Sequence, residues 1–73
     1  MIPKFDYSKL LGKIKEKGYT LKTFAKSIKI SASTLSLKLS NKAYFTQREM
    51  DMACEVLGIE RKFVGVYFFA RKV

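Results

Sequence analysis

Four times along this chain a residue able to cap a helix has an apolar residue directly before it and another four positions after it. The caps are Asp6, Thr20, Ser31 and Thr46, and the apolar pairs around them are Phe5 with Leu10, Tyr19 with Phe24, Ile30 with Leu35 and Phe45 with Met50. A cap side chain accepts a backbone N–H of the first turn while the flanking pair closes over it as a staple, so each set marks a helix start. Thr46 and Glu49 also have the spacing of a reciprocal capping box. Gly18 and Gly58 mark the ends of the first and fourth helices.

The spacing therefore predicts helices over about 7–17, 21–28, 32–39 and 47–57. Their apolar residues recur at i, i+3, i+4 and i+7: Tyr7, Leu10, Leu11 and Ile14 in the first, Leu21, Phe24, Ala25 and Ile28 in the second, and Met50, Ala53, Cys54 and Leu57 in the fourth. The third has a narrower stripe of Leu35 and Leu39 with a small Ala32. Beyond Ile59 the run Phe63 to Phe69 suits either a helix or a strand; a helix over about 61–68 is favoured, followed by a short extended tail. The expected fold is all-α, five helices in one domain spanning 1–73, since a chain this short builds a single core.

Fifteen Lys and Arg against six Asp and Glu give a net charge of +9. Residues 1–45 carry ten basic and two acidic side chains, and 46–73 carry five and four, so nearly all the excess sits in the first three helices. Solubility needs no such segregation, and a polyanionic partner is implied. With one cysteine, Cys54, and no histidine, a disulfide framework and the usual zinc sets are excluded. No catalytic set is expected, since Asp51 and Glu55 read as the solvated side of the fourth helix, and no metal, cofactor or small-molecule ligand is implied. The lead before Phe5 has no apolar signal core, and the run Phe63–Ala70 is too short to span a bilayer, so a cytoplasmic protein is expected. The basic, amphipathic first helix could suit a membrane surface, but its apolar face is needed in the core.

Helices two and three are separated by about three residues, too few for a loose hairpin, so they must cross steeply, as in a helix-turn-helix. Ser33, Thr34, Ser36 and Leu37 then point away from the Leu35/Leu39 stripe. Residues 21–42, with Ala25 at the small crossing position and Ile28, Ile30, Leu35 and Leu39 inside, resemble the lambda-repressor-like, Cro/CI-type helix-turn-helix regulators. The small single-domain versions from phages and prophages of Gram-positive bacteria are the most similar, and the likeness extends over about Asp6 to Phe69. Two positions depart from that family: Lys29 stands where a turn glycine is usual, and Leu21 where a phosphate-contacting Gln is common.

The resemblance implies a transcriptional regulator, a repressor, that sets its third helix into the major groove of double-stranded DNA in the bacterial host cell. It carries base contacts onto Ala32, Ser33, Ser36 and Leu37, with Thr34 and Lys38 at the groove edge. Ser hydroxyls discriminate weakly, whereas Ala32 and Leu37 can pack on thymine methyls. Phosphate contacts would come from Thr20, Lys22, Lys38, Ser40, Asn41, Lys42 and Tyr44, and from the N–H groups at the starts of helices two and four. One recognition helix sees few base pairs, so a homodimer on half-sites about 34 Å apart is expected. Its interface is assigned to Val66, Phe68 and Phe69, with Phe63 and Tyr67 closing the core. The alternative on the same fold is an antitoxin or antirepressor that binds a protein.

Overall fold

The computed structural model describes residues 4–71; parts of the expected lead and tail, 1–3 and 72–73, lie outside the described residues. Helices α1 (Ser8–Glu16), α2 (Leu21–Ser27), α3 (Ala32–Leu39) and α4 (Gln47–Leu57) are followed by a 3-10 turn, Arg61–Phe63, that leads into α5 (Val64–Phe68). The all-α expectation holds. α2 packs on α3 and α4, and α5 closes against α1 and α4. Leu10, Ile14, Phe24, Ala25, Ile28, Leu35, Ala53, Cys54, Leu57 and Phe68 fill the space between them.

Three starts follow the capping rule. The Thr20, Ser31 and Thr46 hydroxyls each accept the N–H three residues on, at 3.1 Å in all three cases. Thr46 and Glu49 complete the reciprocal box, the Glu49 carboxylate accepting the Thr46 N–H at 2.9 Å. Thr20 and Thr23 form a second box that was not expected, a Thr hydroxyl serving where Glu or Gln is usual. The first start differs. Tyr7 is the N-cap of α1 with no side-chain cap, and the Asp6 carboxylate accepts the Ser8 N–H at 2.9 Å, tying the turn before the helix. That shift of one residue means that Phe5 no longer directly precedes the cap, and its ring packs among Tyr7, Tyr44 and Phe69.

The four long helices end alike. In each, an N–H bonds a carbonyl five residues back, Tyr19 to Ile14, Ile30 to Ala25, Lys42 to Leu37 and Ile59 to Cys54, at 2.8–3.0 Å. The residue before each donor is left-handed: Gly18, Lys29, Asn41 and Gly58. This closure satisfies carbonyls that the last turn would otherwise orphan. At φ 62° Lys29 holds a conformation costing a side-chain-bearing residue about 1–2 kcal/mol. Lys29→Gly should therefore not lower the melting temperature, as thermal unfolding followed by circular dichroism will check; a clear fall would mean that the lysine side chain contributes more than its strained backbone costs.

Two apolar stripes are narrower than expected. Leu11 and Leu21 are 39% and 45% exposed, outside the core rather than in it. The C-terminal aromatics also exchange places: Phe63 is exposed and Phe68 is buried at 2% exposure. Their reversal follows from the 3-10 turn. It advances about 120° per residue where an α-helix advances about 100°, so three residues rotate everything after them by about 60°. Phe68 thus stacks edge-on against Phe45, with ring centroids 5.2 Å apart. It belongs to the core and not to a dimer interface. Phe5 and Arg71 form an isolated antiparallel bridge, and the Asp6 N–H donates to the Ala70 carbonyl at 2.6 Å.

Candidate recognition surface

The turn from α2 to α3 occupies only Ile28 to Ser31, with Ile28 buried and Ile30 packed against the core. The side chain that aims α3 is Leu35, fully buried one turn into the helix. With that face held inward, Ala32, Ser33, Ser36 and Leu37 are all exposed, Leu37 at 47%. Thr34 is half-buried and its hydroxyl is engaged by the Ser31 hydroxyl at 2.8 Å. Thr20, Lys22, Lys26, Lys29, Lys42 and Tyr44 are exposed as well. Ser40 is exposed, but its hydroxyl donates back to the Ser36 carbonyl at 2.7 Å.

Two residues expected on phosphates are committed elsewhere. Lys38 is 7% exposed, and its ammonium pairs with the Glu49 carboxylate of α4 beside the Phe45 ring, 5.9 Å from the ring centroid. It lies three residues from Leu35, on the inner side of the helix, and so braces α3 against α4. Asn41 clamps Phe5: its side-chain carbonyl accepts the Phe5 N–H at 2.8 Å and its amide donates to the Phe5 carbonyl at 3.1 Å. Neither side chain is free to reach a ligand. One further cation joins the surface, Arg48 at the start of α4, which lines a shallow depression with Lys29 and Thr46. Its signal was the position itself, the second residue of a well-capped helix.

Glu49 serves both the box and the bridge. Burial pushes its carboxyl up, but the hydrogen bonds from Lys38 and from the Thr46 backbone outweigh that and hold it below its ordinary value of 4.5. A carboxyl lowered in the folded state adds stability above its unfolded value, and that contribution disappears as the pH falls through the folded one. Unfolding by urea should therefore become easier as the pH drops below about 4.5. A stability that stays flat from pH 6 to pH 3 would mean the bridge carries no net interaction.

Cys54 is buried, and burial first, then the Asp51 charge, raise its thiol, so it stays protonated and inert at neutral pH. Among the described residues no cluster of His, Cys, Asp and Glu could hold a metal ion, and no helix is long and apolar enough to cross a membrane.

The model of a family described as "Protein of unknown function (DUF739)" matches residues 3–71. The chain belongs to that family. This DUF739 chain is similar along nearly its whole length to a solved protein, the modulator of repression of the temperate bacteriophage TP901-1 from Lactococcus lactis, known from a solution structure. The two are 42% identical, the match covers 94% of this chain and 93% of that one, and the TM-score is 0.78. No curated protein matches. The family shown is DUF739; the likeness to Cro/CI-type regulators over about Asp6 to Phe69 remains a resemblance and not a family assignment.

Proposed function

We propose that this DUF739 protein is a phage regulator that modulates repression, and that it works by contacting a repressor protein through the α3 side of the molecule. The whole-length likeness to a modulator of repression supports the first part. One structural observation carries the second: the exposed face of α3 offers short hydroxyls and the apolar Leu37 but no long side chain to read a base. Arg, Lys, Asn and Gln make the discriminating major-groove contacts. The two nearest candidates, Lys38 and Asn41, are held by Glu49 and Phe5. In this reading the chain is a binding protein and not an enzyme, needs no cofactor or small-molecule ligand, and acts in the bacterial cytoplasm.

The test pairs a reporter promoter, silenced by the repressor of the phage that carries the chain, with gel shifts on the operator. Co-expression should change the silencing, and Leu37→Asp should abolish that change without lowering the melting temperature. Alone, the chain should bind the operator no better than unrelated duplex.

The charge segregation favours a second reading, in which the chain is itself a DNA-binding repressor on a helix-turn-helix. The exposed Ala32, Ser33, Ser36 and Leu37 would then meet bases, and Thr20, Lys22, Lys42 and Tyr44 phosphates. The exposed Val66 and Phe69 would form the homodimer contact, without Phe68. A selective shift by the chain alone, weakening about a thousandfold between 50 and 200 mM salt, would establish it over the first.

A further inference from the structure

Between the C-terminal half of α1 and the start of α2 lies an open groove of about 770 Å³ whose walls include Leu11, Gly12, Lys15, Tyr19 and Leu21. Its size falls within the about 300–1,000 Å³ typical of ligand clefts. The two leucines are the ones that the core leaves out, at 39% and 45% exposure, so the groove presents apolar side chains that the described residues leave partly uncovered.

Gly12 is the second observation. It sits in the middle of α1, where glycine weakens a helix, yet a Cβ built on it would meet no atom within 4 Å. Packing among the described residues therefore gives no reason for glycine at this place, whereas close approach of another molecule to the helix backbone does. Gly18, by contrast, is accounted for by its φ of 82°.

Charge selects the occupant. Lys15 lines the groove, exposed Lys22 adjoins Leu21, and no acidic side chain is among the lining residues. The acid of α1, Glu16, is paired with Lys13 at 2.9 Å, more than about 90° round the helix from Leu11 and Lys15. We infer that this groove docks a short amphipathic, acidic helix of the repressor. Its apolar side chains lie between Leu11 and Leu21 over the bare backbone of Gly12, and its carboxylates meet Lys15 and Lys22. Phosphate alone would leave the leucines unused. The assignment rests on the reading that the chain acts on a repressor protein, and adds to the contact through α3 a second one, between α1 and α2.

The experiment titrates a synthetic helical peptide, Leu on one face and Glu on the other, into the ¹⁵N-labelled chain. Amide shifts are expected at Gly12, Lys15, Tyr19 and Leu21. Gly12→Gln and Leu21→Ser should each weaken binding about tenfold or more. Gly12→Gln should at the same time raise the melting temperature, which separates binding from folding. Lys15→Glu should weaken the acidic peptide and favour one with Lys in place of Glu. Shifts confined to another face, unchanged binding by Gly12→Gln, or self-association that Leu21→Ser abolishes would overturn the assignment, the last by seating a second copy of the chain in the groove. In the reporter, Gly12→Gln should lose the effect on silencing. If the unaltered chain modulates the repressor and Gly12→Gln does so equally, the groove falls and the proposed function stands. If the peptide binds as described but the chain leaves repression untouched, the docking groove stands and the function falls.

Discussion

Replacing Phe68 with alanine is expected to lower the melting temperature by more than about 15 °C and to leave the chain largely unfolded at 37 °C. The ring is 2% exposed, stacks on Phe45, and comes from the last helix to close the core against α1 and α4. Truncating a buried Phe costs about 3–5 kcal/mol, through lost transfer energy and the cavity left behind. A domain of this size is expected to lie near the low end of the about 5–15 kcal/mol typical of folded proteins, so one such cavity removes most of its stability. Phe69→Ala, at a ring that is half exposed, should cost less than about 1 kcal/mol. Circular dichroism melts of the two variants decide the matter, and equal losses would show that the wrong aromatic has been placed in the core.

Lys38→Met is expected to cost about 3 kcal/mol at pH 7, although methionine fills much the same volume. The change leaves the Glu49 carboxylate enclosed, with the Thr46 N–H still bound but without the ammonium. Breaking one side of a largely buried pair strands the other charge, which costs more than the pair contributes over apolar replacements. The penalty should shrink as the pH falls, because the stranded Glu49 carboxylate of the variant takes up a proton more readily than the paired one of the unaltered protein. Urea titrations of both proteins at pH 7 and pH 3.5 measure this. A cost that is equal at the two values would mean that lost packing by the lysine stem, and not its charge, is responsible.

Much of this architecture is legible in the amino-acid order because the signals are local. Thr20, Ser31 and Thr46 cap where their hydroxyls and staples predict, and the stripe through Leu35 turns Ser33, Ser36 and Leu37 outward. What escaped depends on contacts distant in sequence or on small changes of winding. Nothing near Asn41 announces that its amide will clasp Phe5, thirty-six positions away. The 3-10 turn at Arg61–Phe63 has no clear marker, yet its rotation decides which aromatics face inward. Lys38 did carry a hint, three residues from a core leucine, but an isolated lysine is usually solvated and only the packing against α4 reveals its partner. Leu11 and Leu21 show the opposite error, since helical spacing marks positions that could be buried while the small core has room for fewer.

The clasp between Phe5 and Arg71 also bears on how this chain is made. Phe5 and Asp6, which precede every helix in the chain, hydrogen-bond to Ala70 and Arg71, which follow the last one, and Phe68 arrives just before them. While residues 68–71 are still inside the ribosomal tunnel, α1 lacks its covering helix and Phe45 lacks its stacked ring. A nascent chain halted there should remain sensitive to protease, and closure of the domain should coincide with emergence of those residues.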